Sequence, residues 1–264
     1  MPDALAQRLV RGPFLIGIEL TPPTSGDGAE LADAARRAVQ LGFELVSVTD
    51  QPLGRTRLDS LAMAELLAGS LAVPVLAHRA TGSRSLAVLR SDAQRARDCG
   101  FALLLVSGDA PRVDGSVDSI AGLAACRDAA PDLLLLAAVD PAADDLGAEL
   151  ERAHRKIAAG ARALVTQPVF DEVRLTRFLD DPRRPAVPLL LGVLPLRDAA
   201  HARRIGDALP DLRIDDPDRA HGAVAAAALV HAAATRVAGI HVMLPSGDLA
   251  LARELLAACS ATLR

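Results

Sequence analysis

Short, continuously apolar runs alternate with longer stretches of helical periodicity along this chain. The apolar runs are rich in Leu, Val, Ile and Ala and predict eight β-strands, at residues 14–20, 44–49, 73–78, 102–107, 133–139, 163–167, 187–193 and 239–244. The periodic stretches predict helices at residues 28–40, 57–68, 85–99, 116–129, 146–159, 198–209, 219–237 and 248–258.

The strands are apolar at consecutive positions, which is typical of parallel strands that are buried on both faces. Eight strand-then-helix units of this kind predict a single α/β domain over residues 1–264, a (β/α)8 TIM barrel. The seventh connection is long and is interrupted by prolines between residues 210 and 217, so it is expected to carry an extra helix at 219–237. A hydrophobic content of 51% in 264 residues suits one large core.

Charge and cysteine usage exclude several functional classes. The formal net charge is -4 and no block of like charge stands out, which argues against a nucleic-acid partner.

No apolar run approaches the roughly 20 residues that span a bilayer, so no membrane association is expected and the predicted location is the cytoplasm. Cys99, Cys126 and Cys259 are widely spaced without a Cys-x-x-Cys pair, so they are interpreted as packed thiols and no metal site is predicted.

Polar residues follow or end most of the predicted strands. In a parallel barrel the carboxyl ends of the strands form the face where catalytic groups lie. Each residue alone has an ordinary structural explanation, such as a turn acid or a hydrogen-bonded histidine, but their convergence on one rim favours a functional site. The strand exits carry Glu19, Thr49 with Asp50, His78, Gly108 with Asp109, Asp140, Gln167, Pro195 and His241.

An ordered set of short motifs resembles the landmarks of the methylenetetrahydrofolate reductase family over nearly the whole chain. Each motif is weakly specific, whereas their order and spacing are strongly so. The motifs are Ile18-Glu19-Leu20-Thr21-Pro22-Pro23, Val48-Thr49 leading to Arg57, His78, Ser107-Gly108-Asp109-Ala110-Pro111, Lys156 with Ala159-Gly160-Ala161, Val165-Thr166-Gln167-Pro168-Val169-Phe170-Asp171, and Gly192-Val193-Leu194-Pro195.

The resemblance implies an NAD(P)H-dependent oxidoreductase of one-carbon metabolism and methionine biosynthesis. Such an enzyme reduces 5,10-methylenetetrahydrofolate to 5-methyltetrahydrofolate, using NADH or NADPH and bound FAD. Glu19 matches the family's acid, which protonates a substrate nitrogen as the five-membered ring opens. Asp109 and Gln167 match the positions that accept hydrogen bonds from the pterin, and Asp109 also counts as catalytic.

The same resemblance implies the flavin contacts. These are Thr49, His78, Gly108, Arg152, Arg155 and Lys156. Cations on the helix after the fifth strand suit a pyrophosphate, although Arg152 and Arg155 also fit an ordinary solvated helix face.

Other functions stay open because the chain contains no Tyr and no Trp, so aromatic stacking on a flavin falls to Phe or His. A flavin-independent folate one-carbon enzyme of the same family is one alternative. A catalytically silent barrel that binds folate or a partner protein is another. The sequence leaves open whether the protein forms a homo-oligomer.

Overall fold

The predicted barrel is confirmed in a computed structural model, which describes residues 2–108, 114–209, 212–244 and 247–260. Eight parallel strands pair in chain order and close between the last and the first. They are β1 (Leu15–Leu20), β2 (Leu45–Val48), β3 (Val75–Ala80), β4 (Ala102–Val106), β5 (Leu135–Val139), β6 (Ala163–Thr166), β7 (Leu189–Val193) and β8 (Gly239–Met243).

Helices surround the strands and close one end of the barrel. They are α1 (Pro2–Arg11), α2 (Ala29–Gln40), α3 (Ser60–Ala68), α4 (Leu86–Cys99), α5 (Ser119–Ala129), α6 (Leu146–Ala158), α7 (Glu172–Asp180), α8 (Ala199–Ala208), α9 (Ala223–Ala233) and α10 (Leu249–Ala258). The connection between β7 and β8 holds both α8 and α9. Within the described ranges, each helix is too short or too polar to cross a membrane.

Two helices lie outside the sequence-based list, α1 and α7. Leu5 and Leu9 of α1 are buried against inward-facing leucines such as Leu15 and Leu45, so α1 covers the amino-terminal end of the barrel. The helix α7 begins after Asp171, whose carboxylate accepts hydrogen bonds from two backbone N–H groups of its first turn.

Side chains alternate between the barrel interior and the layer beneath the helices, because successive residues of a strand point to opposite faces. The lower interior is filled by apolar side chains from α1 and the strands, including Leu76, Leu104 and Leu190. The outward-facing positions join the helices in the larger core. The upper interior, towards the carboxyl ends of the strands, is where polar inward-facing side chains occur.

An ion-pair cluster lies on the outward face of β3, between the strand and the helices α3 and α4. The Arg79 guanidinium lies 2.7 Å from Asp59 Oδ2, 2.7 Å from Asp92 Oδ2 and 3.8 Å from Asp50 Oδ1. Arg84 reaches Asp50 at 2.6 Å, and Asp50 also accepts the Ala80 N–H at 2.8 Å. These contacts compensate the burial of Arg79, Asp50 and Asp92.

Candidate functional site

Three ionisable side chains from separate strands meet inside the upper barrel. Glu19 on β1 places Oε2 3.7 Å from His78 Nε2 on β3 and 3.9 Å from His241 Nδ1 on β8. The two imidazole rings lie 5.7 Å apart between centroids. The side chains of Glu19 and His78 are 13% and 10% exposed, whereas that of His241 is fully buried, so this cluster is nearly closed to solvent.

The strand register explains why these residues converge. His241 pairs with Gly17 on the adjacent strand β1, two residues before Glu19. Gly17 has no side chain, and a Cβ there would lie 3.5 Å from the His241 ring and 3.2 Å from Leu45. On the other side of β1, Glu19 pairs with Ser47 of β2.

Ser47 orients the His241 ring. Its hydroxyl donates to the Ile18 carbonyl at 3.3 Å and lies 2.7 Å from His241 Nε2. With the hydroxyl proton on the Ile18 carbonyl, the Ser47 oxygen is placed to accept from the His241 Nε2–H. In that tautomer, His241 Nδ1 carries a lone pair that faces Glu19.

Both imidazoles of the cluster are neutral at physiological pH. Burial, and to a smaller extent the neighbouring His241, lowers the pKa of His78 to about 3. Burial also lowers the pKa of His241 to about 4. His78 Nε2 and His241 Nδ1 are both buried without a hydrogen-bond partner. Unsatisfied buried polar atoms are uncommon in folded proteins, and a bound water, an ion or a ligand is a usual partner for such atoms.

Further polar atoms lie unsatisfied at the strand exits. Thr49 follows β2 directly, and its N–H donates to the Leu20 carbonyl. The Thr49 and Thr81 hydroxyls are buried without a hydrogen-bond partner. Thr49 lies two residues after the inward-facing Ser47, so its hydroxyl faces the barrel interior, whereas the Thr81 methyl group packs towards Gly122 of α5.

Gln167 lies on the same rim, immediately after β6. Its N–H donates to the Val139 carbonyl, which fixes the backbone, and its side chain is exposed. The structure thus places Glu19 and Gln167 at the same end of the barrel. Asp109, the third residue implied for folate binding, lies outside the described residues.

Gly108, at the exit of β4, has a packing reason for being glycine. Its φ is 89°, in the left-handed region, and a Cβ there would lie 2.6 Å from the Ala80 Cβ. The exits of β3 and β4 can approach each other at this point only because Gly108 lacks a side chain.

The cations of α6 divide into one buried residue and two exposed ones. Lys156 is buried, and its Nζ donates to the Ala138 carbonyl at 2.6 Å and lies 3.8 Å from Glu149. Burial lowers the pKa of Lys156, and the Glu149 carboxylate opposes that effect. Arg152 also pairs with Glu149, at 3.3 Å, and both Arg152 and Arg155 are exposed. Lys156 is therefore committed to contacts within the protein.

Two members of this site carried no assigned role in the sequence analysis. His241 was identified only as a strand exit, and Ser47 was not identified at all. The sequence feature that could have identified His241 and Ser47 is a polar residue within an apolar strand, the same feature that identified Glu19. A small hydroxyl is common in strands, so Ser47 becomes informative only when the register places it opposite Glu19.

A (β/α)8 barrel with ionisable and unsatisfied polar groups at the carboxyl ends of its strands has the architecture of a TIM-barrel protein whose site lies at that end. Residues 4–216 match the family model of methylenetetrahydrofolate reductase. The chain therefore belongs to the methylenetetrahydrofolate reductase family. Among curated proteins, none matches the sequence significantly.

Solved structures share the fold at low sequence identity. A Clostridium thermocellum protein described as binding two copies of 5-methyl-5,6,7,8-tetrahydrofolic acid has a TM-score of 0.70 and 14% identity, with 98% of each chain covered. A 2,3-dimethylmalate lyase has a TM-score of 0.58 and 18% identity, covering 99% of this chain and 85% of its own. A phosphoenolpyruvate phosphomutase from Streptomyces platensis subsp. rosaceus has a TM-score of 0.60 and 17% identity, covering 99% and 86%.

Proposed function

We propose that this protein reduces 5,10-methylenetetrahydrofolate to 5-methyltetrahydrofolate, with NADH or NADPH as reductant and FAD as cofactor. The observation that carries the proposal is Glu19, a carboxyl group inside the barrel mouth with two neutral imidazoles at 3.7 and 3.9 Å. Family membership supports the reaction class. The C. thermocellum neighbour, described as binding 5-methyltetrahydrofolate, supports a folate as the ligand.

Glu19 supplies the proton in this scheme. The five-membered ring of the substrate opens when one of its nitrogens is protonated, and hydride then adds to the exposed methylene carbon. His78 and His241 are neutral, so neither places a cation beside the carboxyl group that would hold it ionised. Gln167 and Asp109 accept hydrogen bonds from the pterin and hold it against Glu19.

The residues present fit the ring end of a flavin better than its phosphate end. The unsatisfied Thr49 hydroxyl and the unsatisfied His78 Nε2 are polar groups suited to the edge of an isoalloxazine ring. A bound flavin supplies the hydride that it receives from the nicotinamide. At the phosphate end Lys156 already donates to Ala138, so the pairing with pyrophosphate falls to Arg152 and Arg155.

The test is anaerobic and separates the half-reactions. Protein reconstituted with FAD should show a flavin absorption band that NADH or NADPH bleaches and that 5,10-methylenetetrahydrofolate restores. The Arg152→Gln/Arg155→Gln double variant should bind FAD more weakly and with a smaller salt dependence. Arg95→Gln on α4, which alters an exposed pair with Glu65 of α3, is the matched control.

A flavin-free folate enzyme is the second candidate, because Lys156 is committed to Ala138 and Glu149 and the chain lacks Tyr and Trp. Protein that stays colourless with FAD yet oxidises the nicotinamide in the presence of methylenetetrahydrofolate would select it. Protein that binds folate without turnover under either condition would instead be a binding barrel.

A further inference from the structure

The cluster of Glu19, His78 and His241 also offers the ligand atoms of a metal site, a role separate from proton transfer to folate. It offers one carboxylate oxygen and two imidazole nitrogens, and these atoms all lie within 4.8 Å of one another. The three residues come from β1, β3 and β8, so rigid strands of the barrel hold them.

The separations are close to those of a metal centre. Two ligand atoms on a tetrahedral zinc ion, each about 2.0–2.2 Å from the metal, lie about 3.4 Å apart. The Glu19–His78 and Glu19–His241 separations of 3.7 and 3.9 Å exceed this by a few tenths of an ångström. Small changes in the side-chain torsions of Glu19 would close these two differences, and the third separation, between the two imidazole nitrogens, is within 4.8 Å and would shorten only by rotation of the rings.

The ring nitrogens that face Glu19 are the ones left without hydrogen bonds. His78 Nε2 and His241 Nδ1 are both buried and have no hydrogen-bond partner. On the far side of the His241 ring, Ser47 Oγ lies 2.7 Å from Nε2 and is placed to accept the Nε2–H, which would leave the lone pair on Nδ1. A hydrogen-bond acceptor on the second nitrogen is the usual way in which a metal-binding histidine is oriented.

We propose that Glu19 Oε2, His78 Nε2 and His241 Nδ1 bind one divalent transition-metal ion, with zinc as the preferred ion. Two imidazoles and one carboxylate suit zinc better than magnesium or calcium, which prefer oxygen ligands. Three protein ligands leave a fourth position open, as in catalytic zinc sites. Zinc bound to Glu19 excludes the proton that this carboxyl group donates in the proposed reductase, so the two states of the site are mutually exclusive.

Zinc binding can be measured on the chelator-treated protein without folate or flavin. Titration against a chromophoric chelator should give one tight equivalent per chain. Replacing His78 or His241 by Gln should weaken zinc binding by at least about 100-fold, since loss of an orienting partner alone costs about 10–100-fold. Ser47→Ala should fall in that smaller range. His154→Gln and His231→Gln, which alter surface histidines, are matched controls that should bind as the wild type does.

A measurement on the wild type keeps the test independent of variant folding. X-ray absorption at the zinc edge should show two imidazole ligands and at least one oxygen ligand, and cobalt should give the visible spectrum of a four- or five-coordinate ion. Failure of the wild type to bind zinc, or tight binding that persists in the His78→Gln/His241→Gln double variant, would overturn the proposal. A protein that reduces folate but binds no zinc refutes this inference alone, whereas a protein that binds zinc but has no reductase activity in its zinc-free, FAD-reconstituted form refutes the proposed function alone.

Discussion

His78 and Arg79 are consecutive residues of β3, and both are buried, yet their surroundings differ. Arg79 points outwards, where its guanidinium is hydrogen-bonded to Asp59 and Asp92 at 2.7 Å each. His78 points into the barrel, where its Nε2 has no hydrogen-bond partner and lies 3.7 Å from Glu19. One step along a strand thus separates a polar cluster whose charged groups are paired from one in which two imidazole nitrogens lack hydrogen bonds.

The difference separates a structural role from a functional role. Burying a polar or charged group costs free energy unless partners replace its water. The Arg79 cluster has those partners, so its expected contribution is to the fold. The cluster around His78 leaves ring nitrogens unsatisfied, and a fold retains such atoms at that cost where a ligand or a reaction uses them.

Breaking the satisfied cluster should have the largest effect on stability. Arg79→Met leaves Asp50 and Asp92 buried without this partner, so we expect a loss of about 3–5 kcal/mol in the free energy of unfolding. Urea denaturation measures it. The matched control is Arg95→Met, which removes an exposed pair with Glu65 and should cost under about 1 kcal/mol. Equal losses in the two variants would contradict the structural role of Arg79.

Lys156 is a second buried cation whose partners, like those of Arg79, lie within the protein. Lys156→Met removes the donor to the Ala138 carbonyl and a partner of Glu149, so the flavin-free protein should lose about 1–3 kcal/mol of stability. Unfolding is measured without FAD and compared with that of Arg155→Met, which is expected to change little. Unchanged stability combined with weakened FAD binding would return Lys156 to the flavin site.

The two clusters should respond to acid in different pH ranges. The folded-state pKa values of His78 and His241, about 3 and 4, lie below the ordinary 6.5, so the unfolded chain binds more protons and stability falls as pH drops from 6.5 towards 4. Each imidazole contributes a slope of up to about 1.4 kcal/mol per pH unit. Burial raises the pKa of Asp59, but the charge and hydrogen bond of Arg79 help to outweigh it and leave the pKa below the ordinary 3.8, so the stability that ionised Asp59 contributes is lost only as pH falls below about 3.8.

This pH effect is measured by urea unfolding of metal-free protein between pH 7 and pH 4. His241→Gln should flatten the slope, whereas His154→Gln, which alters a surface histidine, should leave it unchanged. A slope in the His241→Gln protein equal to that of the wild type would show that His241 is not buried in its neutral form.

The barrel could be predicted because eight apolar runs and their helices repeat with one period. Glu19 could be predicted because a carboxylate interrupts an apolar strand. The convergence of Glu19 with His241 and Ser47 could not, because it depends on the register that closes β8 against β1 and pairs β1 with β2. The contacts of Lys156 with Ala138 and Glu149 could not be predicted either, because helical spacing does not show whether a lysine reaches a ligand or a nearby carbonyl.

The most direct test of the account compares Glu19→Gln with the wild type in both half-reactions and in unfolding. The change is nearly isosteric, so we predict stability within about 1 kcal/mol of the wild type. Reduction of the enzyme by NADH or NADPH should persist, while turnover of 5,10-methylenetetrahydrofolate should fall by about 100-fold or more through loss of the proton donor. Equal loss of both half-reactions, or a large loss of stability, would contradict the account and make Glu19 a structural residue like Arg79.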